Sequence, residues 1–316
     1  MKKTFRKTLT IFLCTAIAMS FFACNGEPDS TEKKTNTQDT QNTQETTETQ
    51  GTLVTPPYTI TPDEGYEGTI TINDAAKTIT LEPPLDDGDE TKAAYVITGS
   101  YEGQIINKVK GTKIVLSNAT LTNKEGKPAI YGEKKTEIIV AGETENTITV
   151  TGEGADDKWG AVNCENGIEI GGPGKLTISN EKAHGVKGSK IEVKGSGTYI
   201  FDGGSDSSAV NSNVFVVKND KDGNPRTFTA TFKDSKNGIK ADETITISSG
   251  TFVFENITGT ALKTDKKDKK GTTEPKDHYI HLDGGTFTFT NCEAKYETKD
   301  GDEFFTVSNT VIGDFN

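Results

Sequence analysis

Arginine is almost absent from this 316-residue chain: only Arg6 and Arg226 occur, and Arg6 lies in the basic start. With 35 basic against 47 acidic residues, the formal charge is −12, a poor electrostatic match for nucleic acid, which is bound through basic footprints. Histidine is nearly as scarce. His278 and His281 are three apart, so on a strand they point to opposite faces, and His184 is remote in sequence. No Cys/His or His/Glu spacing of a zinc site is present, and neither is a Gly-x-Ser-x-Gly elbow or a phosphate loop. Of the four cysteines, Cys14 and Cys24 fall at the N-terminus. Cys164 and Cys292 are expected about five coils apart, on the order of 20 Å by strand spacing, so they are read as free thiols. The chain also lacks a long apolar run. The longest, Leu9 to Phe22, is too short for a comfortable membrane span.

That run has a different meaning. Lys2, Lys3, Arg6 and Lys7 precede it, and it ends at Phe21-Phe22-Ala23-Cys24. A basic start, a short apolar stretch and a small residue before the cut describe a secretory signal over residues 1–23. The placement of Cys24 resembles a bacterial lipobox, which implies a lipidated N-terminal cysteine and a membrane anchor without a span. Phe21 departs from the usual Leu, and an ordinary signal peptide with an incidental cysteine is the alternative. Residues 24–55 are Thr, Gln, Glu, Lys and Asn with few apolar residues, a composition that cannot fold alone and reads as a tether. About 30 residues of such coil reach roughly 30 Å. Loss of residues 1–23 would remove four basic residues and no acid, taking the net charge to −16.

What the chain has in abundance is a recurring phrase: a small pair, one aliphatic, one polar residue. It reads Pro128-Ala129-Ile130-Tyr131, Gly160-Ala161-Val162-Asn163 and His184-Gly185-Val186-Lys187. It returns as Ser208-Ala209-Val210-Asn211, Asn237-Gly238-Ile239-Lys240 and Thr260-Ala261-Leu262-Lys263. The aliphatics are spaced by 32, 24, 24, 29 and 23 residues. A period in the low twenties with insertions predicts a solenoid whose repeats bury their core by stacking.

Each phrase is followed by two alternating segments around a glycine turn, such as Gly171-Gly172-Pro173-Gly174 or Asp283-Gly284-Gly285. The first segment offers Ile138/Val140, Ile168/Ile170, Ile191/Val193, Ile245/Ile247 and Ile280/Leu282. The second offers Ile148/Val150, Leu176/Ile178, Tyr199/Phe201, Phe252/Phe254 and Phe287/Phe289. Both members of a pair face one side of a strand, with polar residues between them. One strand at the phrase and two after it predict an all-β, single-stranded parallel β-helix of three strands and about 22–25 residues per coil. Its interior carries an aliphatic ladder and a Phe-enriched ladder. Right-handedness rests on fold analogy. A β-sandwich of irregular hairpins is the competing arrangement, and a propeller needs longer units. The helix is expected over residues 95–300, with caps at 56–94 and 301–316, where Phe304-Phe305-Thr306-Val307 would cover the last coil.

Candidate ligand-binding residues follow from outward parity and turn chemistry. Trp159 lies beside a polar insertion, Tyr131 fills the polar slot of its phrase, and Tyr279 and His281 alternate with Ile280 and Leu282. Such exposed rings suit stacking on sugars. Turn carboxylates Asp202, Asp206, Asp234 and Asp242 are candidate calcium ligands, since calcium takes six to eight oxygens; solvated turn residues are the plainer reading.

Tyr95 to Thr290 resembles a bacterial carbohydrate-binding β-helix family of secreted or lipid-anchored polysaccharide binders. The residues that carry the resemblance include Ile97-Thr98-Gly99-Ser100-Tyr101-Glu102-Gly103-Gln104-Ile105 and Lys113-Ile114-Val115-Leu116-Ser117-Asn118-Ala119. Pro128-Ala129-Ile130, Asn237-Gly238-Ile239-Lys240 with Ile245-Thr246-Ile247, and Gly284-Gly285-Thr286-Phe287 extend it. The resemblance implies a right-handed β-helix, a plant-type or otherwise acidic polysaccharide partner, and calcium at the coil turns. Where that family commonly has Asp-Gly-Ile-Lys, this chain has Asn237 and His184 at the first position, which weakens the calcium inference at both.

Three functions remain on this reading. The leading one is a non-catalytic, surface-tethered polysaccharide binder of the cell envelope. An adhesive protein with a protein partner is the second. A polysaccharide lyase or hydrolase is the third, with Arg226 as the one arginine available to a lyase; a hydrolase would need paired carboxylates.

Overall fold

The computed structural model describes residues 53–55, 58–62, 68–83, 94–152, 159–265 and 278–315, all within the compact unit Thr46–Asn316. The signal, Cys24 and most of the expected tether lie outside the described residues, as does the insertion before Trp159. Apart from one 3-10 turn, Asp302–Phe304, the elements among the described residues are strands, and nearly all pair in parallel. Parallel pairing sets aside the sandwich of hairpins.

Three ladders account for the pairing. The first carries the recurring phrase: Ile79, Ile105, Ile130, Val162, Val186, Val210, Ile239 and Leu262 stand level on successive strands. The second aligns Ile114, Ile138, Ile170 and Val193, and later Phe215, Ile245 and Ile280. The third aligns Leu121, Ile148, Ile178, Phe201, Phe232, Phe254 and Phe289. From Gln104 onward the chain visits the ladders in the same cyclic order, so each phrase leads into its two segments.

The inward residues follow the period of two. Ile138, Val140, Ile168, Ile170, Ile191 and Val193 are buried, as are Tyr199, Phe201, Phe252 and Phe254. Full burial stabilises a side chain of this kind by roughly 1.5–3 kcal/mol. In the third ladder the rings stack: Phe232 lies 5.2 Å from Phe201 and 5.0 Å from Phe254, at 24° and 16°. Phe252 and Phe287 stack at 5.1 Å.

The register differs from the simple order of the sequence pairs. Ile138 stands level with Ile170 rather than Ile168, and Ile148 with Ile178 rather than Leu176. The inward positions thus opened hold Thr136 and Asn146, both buried. Their polar atoms serve the backbone and neighbouring polar side chains. The Asn107 amide donates to Thr136 Oγ1 at 2.9 Å, and Asn146 Oδ1 accepts from the Ala119 N–H at 2.8 Å. A shift by two keeps every side chain on its face, so the inward pattern survives.

At the N-terminal end, Tyr58–Pro62 joins Ala94–Glu102 antiparallel, and the hairpin Thr69–Asn73/Thr78–Glu82 enters the first ladder through its second strand. At the other end, Phe305–Val307 and Val311–Ile312 extend the second and third ladders. Phe315 packs there against Phe287, Phe289 and Phe305.

Candidate functional site

In the first ladder, the residue after each buried aliphatic points outward. Tyr131, Asn163, Lys187, Asn211, Lys240 and Lys263 therefore form one outward row at strand spacing, about 4.8 Å. The next residues along those strands are small: Gly132, Cys164, Gly188, Ser212 and Ala241 stand level. Beside the row, a groove of about 490 Å³ opens, lined by Asn163, Glu165, Lys187, Asn211 and Asp242 among others.

An aromatic pair stands one strand along from Asn163, outside the groove's lining. Trp159 meets Tyr131 edge to face, with centroids 5.7 Å apart and planes at 78°. The Trp159 carbonyl accepts from the His184 N–H at 3.1 Å, which pins its backbone to the next strand. Tyr131 donates its hydroxyl to Glu165 Oε1 at 2.8 Å. Burial first, and then Glu165, push the Tyr131 hydroxyl up to about 12, so it keeps its proton at neutral pH.

Behind the row, His184 orients Asn211. Its Nδ1 accepts from the Ser208 N–H at 3.1 Å, and its Nε2 lies 3.1 Å from the Asn211 amide. A neutral imidazole that accepts at Nδ1 carries its proton on Nε2. The Asn211 Nδ2 is the atom that faces the ring. Burial, with Lys187 and Lys240 nearby, lowers the His184 pKa to about 4 and keeps the ring neutral.

Asp242 reaches the groove through a bulge. Ser212 pairs with Ala241 and Val214 with Thr244, so Asp242 and Glu243 together face Asn213. Asp242 is thus the one member of the expected calcium set found at this groove. Asp202 and Asp234 lie on the third-ladder side and share Lys233, whose ammonium is 3.4 Å from Asp202 and 2.6 Å from Asp234. Burial raises the Asp202 pKa, opposed by Lys233.

Asp234 has a further structural place. It takes left-handed backbone geometry with Asn256 and Asn291, at φ 51°, 55° and 55°. Asn291 donates to Asn256 at 3.2 Å, and Asn256 to Asp234 at 2.9 Å, a side-chain ladder along successive turns. Asp206 is exposed in the turn before Ser208. Among the described residues, no three His, Cys, Asp or Glu side chains gather as a metal would need. As placed, the four carboxylates do not fit a calcium ion.

Tyr279 and His281 do not join the aromatic pair. They stand outward on the second ladder, level with Thr244 and Thr246, and Tyr279 is 38% exposed. His281 Nε2 lies 2.7 Å from Asp283. His278 is buried, with Nδ1 2.6 Å from Asp300. Arg226 donates Nε–H to the Lys218 carbonyl at 2.7 Å, closing its own loop. Cys164 and Cys292 are free.

The sequence reading singled out Tyr131 and Trp159 but passed over Asn163, Lys187 and Asn211. Their signal was present, since each fills the same polar slot of the phrase as Tyr131.

Residues 87–224 match a family model described as "Carbohydrate-binding domain-containing protein". The match supports a carbohydrate-binding role. It spans Tyr131, Trp159, Asn163, Lys187 and Asn211, and stops before Asp242, Tyr279 and His281. No curated protein and no solved structure matches the chain.

Proposed function

We propose that this protein is a non-catalytic polysaccharide-binding lipoprotein that holds its ligand along the outward row of the first ladder. The observation that carries the reading is the Tyr131–Trp159 pair, with Tyr131 one strand along from Asn163, beside a groove lined by amide, ammonium and carboxylate groups. Sugar sites combine an apolar platform with a few fixed polar groups. A polysaccharide is a repeating polymer, and a row of outward polar side chains at strand spacing offers successive units a regular series of contacts.

Lys187, Lys240 and Lys263 in that row favour an acidic chain, of which plant-type uronates are one source. Lys240 and Lys263 now face Asp265 at 3.1 Å and Glu297 at 2.8 Å, carboxylates for which a uronate can substitute. The scaffold in this reading is a right-handed parallel β-helix, with the three ladders as the three sides of each coil. Residues 1–23 direct export, Cys24 carries the lipid, and 24–55 hold the 95–300 domain away from the membrane at the cell envelope. Bound calcium is not required by this arrangement.

The test is a pull-down of residues 56–316 on polygalacturonate, alginate, xylan and cellulose, with and without a chelator. Binding to an acidic polymer, weakened tenfold by Trp159→Ala, is expected; tenfold is about 1.4 kcal/mol. Retention on none of the polymers would sink the reading. Capture of a protein partner unaffected by competing glycans would replace it with adhesion.

A further inference from the structure

A second groove, of about 410 Å³, opens at the N-terminal end, and no sequence motif pointed to it. Tyr58, Asp74, Lys77, Tyr101, Glu102 and Lys124 line it. It belongs to the third ladder, where Tyr101 stands level with Leu121 and Glu102 with Thr122, whereas the groove lined by Asn163, Lys187 and Asn211 belongs to the first.

Its walls are set by close packing. Tyr58 comes from the strand Tyr58–Pro62 laid antiparallel on Ala94–Glu102, and its ring meets Tyr101 edge to face at 4.8 Å and 64°. The hairpin turn supplies the opposite wall. Asn73 Oδ1 accepts from the Ala76 N–H at 3.0 Å, Lys77 takes left-handed geometry at φ 48°, and its carbonyl accepts from the Gln104 N–H at 2.9 Å. A Cβ at Gly103 would overlap both that carbonyl and the Tyr101 hydroxyl, so glycine there lets the turn settle and traps the Tyr101 ring, 8% exposed.

The polar groups are arranged and electrically balanced. Glu102 sits between two ammonium groups, Lys77 at 2.7 Å and Lys124 at 2.5 Å, each on a different carboxylate oxygen. With Asp74 added, two positive and two negative side chains border the aromatic pair. An anionic sugar would face Asp74 and Glu102, and a cationic one the two lysines. A neutral hexose matches both: its C–H face covers a tyrosine ring, and its hydroxyls both donate to carboxylates and accept from ammonium groups. Burial raises the Tyr101 hydroxyl well above its ordinary pKa, so it remains a donor.

We propose that this groove is a second saccharide site, specific for a neutral hexose or pentose unit and independent of the first-ladder row. Two sites on different ladders would let one molecule engage two glycan chains of different charge.

The experiment is calorimetric titration of the full-length chain with cellohexaose, mannohexaose, xylohexaose and oligogalacturonate. At least one neutral hexasaccharide is expected to bind, with tenfold or greater loss in Tyr58→Ala and in Asp74→Asn, and no change in Trp159→Ala. Asp74 is exposed on the turn, so Asp74→Asn tests the groove without loading the fold. The proposal is overturned if no neutral hexasaccharide binds, or if their binding is lost in Trp159→Ala and kept in both groove variants. The oligogalacturonate arm judges the first groove alone, so either site can fail without the other.

Discussion

Lys194 reaches past the neighbouring strand to set its ammonium 2.6 Å from Glu137, the same distance it keeps from Glu169. Glu137, Glu169 and Glu192 stand level on the second ladder, a stack of like charges that repel at strand spacing. Lys135 also contacts Glu169, and Lys190 approaches Glu192 at 3.6 Å. Burial pushes the Glu169 carboxyl up, but hydrogen bonds from Lys135 and Lys194 outweigh it and hold the pKa below its ordinary value.

Lys194→Met should therefore destabilise the fold by about 2 kcal/mol, since it leaves part-buried carboxylates without their partner. Urea denaturation checks this. The sign with pH is fixed by the lowered pKa. The contribution is complete above the ordinary carboxylate pKa of 4.5 and is lost as pH falls below it. In the variant this acid loss should shrink, because burial then acts on Glu169 with less opposition and returns its pKa toward the unfolded value.

His184 predicts a second acid transition. Its pKa is depressed from 6.5 to about 4, so the unfolded chain binds more protons between those values. Stability should fall as pH drops below 6.5 and level off near 4, a total of about 3 kcal/mol. Binding at the first groove should weaken over the same window, because a charged ring no longer accepts from the Ser208 N–H, the contact that holds it behind Asn211. His184→Asn should flatten both profiles, read by thermal melts and by titration from pH 4 to 7.

Tyr131→Phe isolates one hydrogen bond. It keeps the ring against Trp159 and removes the hydroxyl that donates to Glu165. A few-fold loss of glycan affinity is expected, about 1 kcal/mol, against the larger loss in Trp159→Ala. Equal losses in the two variants would show that the hydrogen bond, rather than the ring pair, carries binding.

The Asp234 turn gives a prediction that separates structure from metal. Asp234→Asn keeps a residue tolerant of left-handed geometry and should leave the melting temperature within a degree or two. Asp234→Ala loses the amide contact from Asn256 and places alanine at φ 51°, at a cost of about 1–2 kcal/mol. Added calcium should rescue neither variant, and chelation should not shift the parent protein. A chelator-dependent melt would instead place an ion at these turns.

Phe232→Ala should cost about 3–5 kcal/mol, because Phe232 is stacked on both sides and nothing adjacent is free to fill the space. Urea denaturation measures it. The partial exposure of Phe289 near the end of the same ladder makes Phe289→Ala milder.

Much of this architecture was legible in the residues. The aliphatics Ile130, Val162, Val186, Val210, Ile239 and Leu262 fall in one ladder in sequence order, because a period of two and a recurring small pair leave little freedom of register. The two-residue offset at Ile138 and Ile148 was not legible. Thr136 and Asn146 do not look like interior residues until their backbone partners are known. The site was half legible. Tyr131 and Trp159 were visible as outward aromatics, but their meeting depends on how the chain re-enters after the insertion. Asp242 read as a turn carboxylate because a bulge, which has no composition signal, turns it into the groove. The Tyr58–Tyr101 groove needed the antiparallel start, whose path no local pattern specified.

The outward row has one consequence for how such a protein changes over time. Its slots are rungs of a ruler, each set by a single strand and each leaning only on the rungs beside it. Under the proposed function, gain or loss of one repeat would lengthen or shorten the row that meets the glycan by one rung and leave the residues of every other rung as they were. Preference for chain length can thus drift separately from preference for sugar.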